Sequence, residues 1–319
     1  MSGIAILGAG AFGTALAVTL ARSGREVTLW ARDGASAAEM ARTRRSGPRL
    51  PGLDLPENLL ITAEFDTVSA EIELLAVPMQ ALRDFLKQPR AATAPVLVSC
   101  MKGIDLETGE RPSQIIERHR QGSVAAALTG PSFAGDLARG LPTALTLACA
   151  DATVGEALQA RLSTPALRLY RTTDVCGAEF GGALKNVVAL AAGIAIGAGL
   201  GDSARAALIA RGMAEITRIA TRFGAEPPTL SGLSGLGDLV LTATSEKSRN
   251  YAAGIAIGRG EPLPQVTTEG IATAAAIAQL SVEHSIDAPI SRTVAEVTHG
   301  QLAVEAAIEA LLARPLKEE

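Results

Sequence analysis

Near the start of the chain, Gly8-Ala9-Gly10-Ala11-Phe12-Gly13 joins an apolar run, Ile4-Ala5-Ile6-Leu7, to a helical stretch over 14–23, and a second apolar run follows at 27–30. No other feature limits the possible folds so strongly. A G-x-G-x-x-G turn between a strand and a helix marks a parallel α/β unit that binds a dinucleotide. Gly8 permits the tight turn, Gly10 lets a pyrophosphate approach the backbone, and Gly13 lets helix and strand close on each other. Ala11 and Phe12 stand at the variable positions, where the helix start offers unpaired N–H groups and the positive end of its dipole. The six residues alone would also suit a turn that binds nothing. The strand–turn–helix–strand setting is what makes the dinucleotide reading specific.

The end of the second apolar run bears on the choice between the two nicotinamide coenzymes. An acidic residue there would hold the ribose 2′-OH. The chain has Leu29-Trp30-Ala31-Arg32-Asp33 instead. A guanidinium suits a 2′-phosphate, so NADP(H) is the expected preference. Asp33, one step on, leaves NAD(H) open, and an ordinary solvated charge is the competing reading of Arg32.

Further apolar runs follow at 72–77, 96–100, 124–128 and 144–148, with a weaker one at 167–170. Runs apolar on both faces and separated by helical segments predict a parallel sheet covered on both sides. From Gly177 onward the strand signal ends, and Ala-rich helical segments take over at 179–198, 203–223, 271–284 and 304–312. The expected architecture is α/β: an N-terminal Rossmann-type dinucleotide-binding domain over 1–176, then a C-terminal all-helical domain over 177–319 that binds substrate and carries the catalysis. With 48% hydrophobic and 19% charged residues in 319, a chain of this kind can bury cores for two domains.

The same numbers exclude several classes of function. A net charge of −4 argues against nucleic acid as a partner. The most apolar stretch, 187–200, is too short and too rich in Gly and Ala to span a bilayer, so it reads as a buried helix. The cysteines, Cys100, Cys149 and Cys176, are widely spaced with no metal-ligand pattern. No metal is expected, and buried free thiols in a reducing cytoplasm are the simplest reading.

Hydride chemistry on a carbonyl needs a proton donor, and the reverse reaction needs a base. Of the three histidines, His119 sits in the charged run Glu117-Arg118-His119-Arg120, while His284 and His299 have no partner at a recognisable spacing. Lysine is the better candidate. In the otherwise apolar Phe180-Gly181-Gly182-Ala183-Leu184-Lys185-Asn186-Val187-Val188, Lys185 and Asn186 stand alone. Burying a lysine is costly unless it is paired, and burial lowers its pKa toward proton transfer. Gly181 and Gly182 would let something flat approach the helix. Snorkelling at a helix edge is the alternative. Downstream, Asp238 and Thr242 fall on one face of a helix beginning at Asp238, which could cap that helix or orient an ammonium. Ser248 could cap the next helix, where Arg249 and free N–H groups would make a phosphate site, with Asn250 beside them. In the first half, Lys102 and the Gly130-Pro131-Ser132-Phe133-Ala134 segment each follow a strand end, where ligands of open α/β sheets lie.

These motifs, taken in order, resemble the glycerol-3-phosphate dehydrogenases, specifically the bacterial NAD(P)-dependent biosynthetic branch. The likeness runs over nearly the whole chain through the glycine turn, Met101-Lys102-Gly103, Gly130 to Ala134, Leu184-Lys185-Asn186-Val187, Gly201-Asp202-Ser203-Ala204-Arg205-Ala206-Ala207, Gly235-Leu236-Gly237-Asp238-Leu239, Ser248-Arg249-Asn250 and Glu269-Gly270. The resemblance implies reversible reduction of dihydroxyacetone phosphate to sn-glycerol 3-phosphate, the backbone of glycerophospholipids. It implies that Lys185 is the proton acceptor and donor. Substrate contacts fall to Lys102, Gly130, Ser132, Lys185, Asn186, Asp238, Thr242, Ser248, Arg249 and Asn250. Coenzyme contacts fall to Gly8, Gly10, Ala11, Phe12, Gly13, Arg32, Lys102, Ala134, Arg249, Thr267 and Glu269. A homodimer is implied by the same analogy. The chain departs from the family pattern in a shorter 251–268 segment and in Thr267-Thr268, where apolar residues are common. Two other readings compete: a related two-domain reductase, ketopantoate-reductase-like or hydroxyacyl-CoA-dehydrogenase-like, and a non-catalytic NADP-binding sensor. The Gly237-Asp238 and Ser248-Arg249-Asn250 motifs oppose the first, and the presence of both Lys102 and Lys185 opposes the second.

Overall fold

A computed structural model describes residues 3–88, 94–262 and 268–312. The chain forms two compact units, Met1–Lys102 with Glu110–Glu179 and Gly103–Gly109 with Phe180–Glu319.

In the first unit, short runs of β-branched and leucine side chains form an eight-stranded sheet. Its strands are β1 (Ile4–Leu7), β2 (Val27–Trp30), β3 (Leu59–Thr62), β4 (Ile72–Leu75), β5 (Val96–Ser99), β6 (Val124–Thr129), β7 (Thr143–Cys149) and β8 (Leu167–Thr172), in the order β3-β2-β1-β4-β5-β6-β7-β8. The helices are α1 (Ala11–Arg22), α2 (Gly34–Thr43), α3 (Leu82–Lys87), α4 (Pro112–His119), α5 (Ala134–Ala138) and α6 (Ala152–Leu162). Alternate residues of the central strands feed opposite cores. Ile4, Ile6, Leu29, Leu74 and Val98 pack with α1 on one face. Ala5, Leu7, Trp30, Leu75 and Leu97 pack with Leu82, Phe85, Ile115 and Ile116 on the other. Two-sided burial is why these strands read as unbroken apolar runs.

Two features depart from the sequence expectation. The expectation of an all-parallel sheet fails at β6–β7, which pair antiparallel. A parallel crossover needs a long connection, usually a full helix. The link here carries only the five-residue α5, which packs against α1, and the chain re-enters the sheet antiparallel beside β6. β3 gave no sequence signal because it is a four-residue edge strand with exposed Leu60 near its centre. The chain order reverses at β1, which lies between β2 and β4.

The second unit is helical among its described residues. It takes most of α7 (Val175–Gly197), then α8 (Gly201–Arg222), α9 (Pro227–Leu230), α10 (Asp238–Ala243), α11 (Arg249–Gly258), α12 (Glu269–Glu283), α13 (Pro289–Thr298) and α14 (Val304–Leu312). α7 is the one described helix long and apolar enough to cross a membrane, and 89% of its most apolar window is buried inside the protein. It is a core helix, as its lack of a polar face requires. α11 lies against it without intervening side chains. A Cβ at Gly193 would stand 2.2 Å from the Tyr251 carbonyl oxygen, and one at Gly254 would stand 2.2 Å from that of Leu190. Gly197 and Gly258, one turn further on, are equally tight, at 2.2 Å from Ile255 O and 2.3 Å from Ile194 O. Four glycines thus bring the two backbones into direct contact. Glu215 on α8 anchors α13 by accepting from the amides of Ile290 (2.8 Å) and Ser291 (2.9 Å) and from the Ser291 hydroxyl (2.7 Å).

Candidate active site

In the first unit, the glycine turn lies at β1, where the strand order reverses, and Arg32 follows the neighbouring β2. Gly8 has φ +122°, its N–H donates to Trp30 O at 3.0 Å, and a Cβ there would meet Ala76 O at 2.6 Å. A Cβ at Gly13 would lie 2.0 Å from Gly8 O. Neither position tolerates a side chain. Gly10 is different: a Cβ there meets nothing within 4 Å, so the turn opens onto free space at this one glycine. Gly10 is also the N-cap of α1, and no side chain caps that helix. Uncapped amides beside an open glycine suit a pyrophosphate, so the residues present fit a dinucleotide. Ala11 begins α1; Phe12 and Ala134 are half-buried against the adjoining core.

Arg32, just past β2, is exposed and has no hydrogen-bond or ion-pair partner among the described residues. Asp33 is committed elsewhere, accepting from Ser36 N at 2.7 Å as the N-cap of α2. A cavity of about 100 Å³ adjoins the turn, lined by Ala9, Thr14, Ser36, Met40, Pro48 and Arg49 among others. Arg49 lies in a Pro- and Gly-rich loop without periodicity and was not singled out from the sequence. Its basic charge was the only available signal.

On the same unit, Lys102 follows β5 and its ammonium donates to Gly130 O at 3.0 Å. Gly130 follows β6 with φ +134°, and a Cβ there would press on Leu145 at 3.2 Å. The Ser132 hydroxyl lies 3.4 Å from the same Gly130 carbonyl. The first turn of α7 is held in this unit by a buried carboxylate: Glu179 accepts from Arg111 (2.9 Å), Ser113 N (2.7 Å) and Ser113 Oγ (2.7 Å). Burial pushes the Glu179 pKa up, and Arg111 opposes that shift. Burial likewise raises the thiols of Cys100, Cys149 and Cys176, none of which is disulfide-bonded.

The helical unit brings the remaining candidates together on α7, α10 and α11. Lys185 is 6% exposed, and its ammonium donates to Asp238 Oδ1 at 2.7 Å and to Thr242 Oγ1 at 2.6 Å. The Thr242 hydroxyl in turn donates to Asp238 Oδ1 at 3.3 Å. Asp238 and Thr242 stand one helical turn apart on α10, the i, i+4 geometry read from the sequence. Asp238 does not cap α10: Gly237 is the N-cap, and the Asp238 carboxylate goes to Lys185. The approach to Gly181 also differs from expectation. It is the chain's own backbone that comes close, for a Cβ at Gly181 would meet Ser234 O at 2.8 Å. The π-helical turn Leu233–Gly237 therefore presses onto α7 and delivers Asp238 to the lysine.

Ser248 is the N-cap of α11, its hydroxyl accepting from Tyr251 N at 3.2 Å. Arg249 is exposed at the first position of α11 and is without an ion-pair partner among the described residues. Asn250 is buried; it donates to Asn186 Oδ1 at 3.0 Å and accepts from Gly270 N at 2.9 Å. Glu269 opens α12 and is half-buried. Thr267 lies outside the described residues. The histidines take no part in this cluster: His284 packs edge-on against Phe223, and His299 bonds the Ala295 carbonyl.

A doubly wound sheet with an open glycine turn at its reversal point, and a helical unit holding a buried lysine against an aspartate, define a two-domain dinucleotide-dependent dehydrogenase. Residues 3–155 match the family described as NAD-dependent glycerol-3-phosphate dehydrogenase N-terminus, and residues 174–309 match its C-terminus. The chain belongs to the NAD-dependent glycerol-3-phosphate dehydrogenase family. It is 58% identical to a glycerol-3-phosphate dehydrogenase [NAD(P)+] of Paracoccus denitrificans, over 99% of both chains. A protein of the same description from Cereibacter sphaeroides is 57% identical over 99% of this chain and 100% of its own. Among solved structures, the glycerol-3-phosphate dehydrogenase of Coxiella burnetii superposes with a TM-score of 0.92 at 34% identity, covering 98% of this chain and 99% of that one.

Proposed function

We propose that the chain interconverts dihydroxyacetone phosphate and sn-glycerol 3-phosphate with a nicotinamide dinucleotide, supplying glycerol 3-phosphate for glycerophospholipid synthesis. The observation that carries the reading is the buried Lys185–Asp238–Thr242 cluster. The coenzyme, when bound, supplies or accepts the hydride. Lys185 gives the proton to the carbonyl oxygen as the alcohol forms and takes it back in reverse. Asp238 and Thr242 hold the ammonium in place. Arg249 and the first amides of α11 bind the substrate phosphate, as a guanidinium at a helix start does well. Lys102 adds positive charge against the developing alkoxide. Asn186 contributes amide hydrogen bonds to the substrate oxygens. On this reading residues 1–176 form the coenzyme-binding domain, which also carries Lys102, and 177–319 form the substrate-binding and catalytic domain. The family resemblance supports a homodimer and a cytoplasmic location.

The test is NADPH oxidation with dihydroxyacetone phosphate, against ketopantoate and an acetoacetyl thioester. Turnover is expected with the first substrate alone. None with it, from well-folded protein, overturns the reading.

NADP(H) is the preferred coenzyme on this reading, because Arg32 is exposed and unpaired beside the ribose position while Asp33 is occupied in capping α2. Arg32→Asp is expected to lower kcat/KM for NADPH about ten- to a hundredfold, the size of a lost charged hydrogen bond, and to spare NADH. Steady-state kinetics with both coenzymes measure it. An unchanged ratio removes Arg32 from the site.

A further inference from the structure

Asn186 and Asn250 meet as two buried primary amides, and an amide pair can in principle be arranged with either polarity. Here a third group removes the choice. Gly270 N, at the start of α12, lies 2.9 Å from the Asn250 side chain. A backbone N–H can only donate, so Asn250 must turn Oδ1 toward it. Its Nδ2 then faces Asn186, which must answer with Oδ1, at 3.0 Å. The Asn186 Nδ2 group is left with its protons directed away from the pair. It bonds to no described residue, yet it is not among the sealed polar atoms that lack partners. Position 270 must be glycine for its amide to come this close, since a Cβ there would stand 2.7 Å from Asn186 O and 2.8 Å from Asn250 Oδ1.

We propose that Gly270 N and Asn250 form a polarity relay that holds Asn186 with its two N–H donors, and not its carbonyl, toward the substrate. Asn250 is thus a positioning residue acting through Asn186, and the start of α12 sets what the neighbour of the catalytic lysine can offer. A carbonyl or alkoxide oxygen requires donors; the opposite amide orientation would present it with an acceptor. The inference rests on the reading of Asn186 as a substrate-binding residue.

Asn250→Asp tests it. In that variant an ionised carboxylate at position 250 accepts from Gly270 N but has no proton to give, so Asn186 must flip and spend its donors on the carboxylate. Protonation of the introduced carboxyl restores the relay, its carbonyl accepting from Gly270 and its O–H donating to Asn186 Oδ1. Burial raises the pKa of such a carboxyl, which brings the transition into the working range. The charged or titratable groups on these helices near the pair are Lys185 on α7, Asp238 on α10, Arg249 and Tyr251 on α11 and Glu269 on α12. The same pH series is therefore run on the unsubstituted protein, on Asn250→Ala and on Asn186→Ala. Asn250→Asp is expected to lose about tenfold in kcat/KM for dihydroxyacetone phosphate at about pH 8, the cost of mispairing one buried hydrogen bond, and to recover toward about pH 5.5 relative to the unsubstituted protein. Asn250→Ala should lose activity with no added pH dependence. Coenzyme Kd, read by NADPH fluorescence, should hold throughout. If Asn250→Asp and Asn250→Ala share one pH profile while Asn186→Ala is impaired, the relay is overturned and the substrate role of Asn186 stands. If Asn186→Ala is fully active, both are overturned. Should Asn250→Asp fail to fold, Asn186→Asp carries the test: only its protonated form offers a donor, so its activity should likewise return as pH falls, and a flat profile overturns the relay.

Discussion

Replacing Lys185 by methionine or alanine is expected to lower kcat by about 10²- to 10⁴-fold, the contribution of a positioned general acid, while leaving NADPH binding within about twofold, since Lys185 is not among the residues proposed to hold the coenzyme. Lys185 is also half of a buried ion pair with Asp238 at 2.7 Å. Removing it strands a carboxylate that is 1% exposed. Breaking a buried pair from one side costs about 3–5 kcal/mol, so the variant should melt earlier as well. The two effects separate in Lys185→Met combined with Asp238→Asn, which removes the stranded charge. Stability should largely return and turnover should not. Single-turnover kinetics, NADPH titration and thermal melting make the comparison. Equal loss of turnover and coenzyme binding, or turnover restored with stability in the double variant, would make Lys185 a structural residue.

The second large effect is expected at the crossing of α7 and α11. Gly254→Ala places a methyl 2.2 Å from Leu190 O and against Gly193. The obstacle is backbone on both sides, so no rotamer change relieves it. Overpacking a core typically costs about 1–3 kcal/mol where side chains can yield, and this site should reach or exceed the top of that range. The damage should extend to activity. Arg249 and Asn250 ride on α11, and a shift of the helix carries them away from α7, with Lys185 and Asn186. Gly155→Ala is the control: it sits inside α6, where a new Cβ would touch only Cys149 at 3.4 Å. It should be neutral or stabilise by under about 1 kcal/mol through helix propensity. Denaturant unfolding and kcat/KM decide the matter. A Gly254→Ala protein as stable and active as the control would mean that α11 can back away from α7 without consequence.

Much of the first unit was legible because its code is local. The apolar runs of β1, β2 and β4 to β7 are largely buried on two faces and announce themselves, whereas β8, with alternate residues exposed, gave only a weak signal. The glycine turn is a six-residue pattern whose spacing follows from backbone sterics. The antiparallel step at β6–β7 and the edge strand β3 escaped, because direction and pairing depend on connection length and on neighbours distant in sequence. In the helical unit, Lys185 and Asn186 stood out as polar residues in an apolar helix, and Asp238 and Thr242 as an i, i+4 pair. Asp238 was legible as a residue that could orient an ammonium, but the packing that brings it to Lys185 was not. It depends on Gly181 admitting the Ser234 backbone, and no sequence window contains both.

The sequence by itself determined that a dinucleotide turn opens the chain, that an α/β half precedes a helical half, and which lysine is too costly to bury without a partner. Each of these is set by residues within a few turns of one another. The tertiary structure alone decided what surrounds those residues. It brought Asp238 to Lys185, packed α11 onto α7 through four glycines, and fixed the polarity of the Asn186–Asn250 pair from Gly270. Those outcomes turn on distances of a few tenths of an ångström between segments far apart in the chain, which packing determines and local pattern does not record.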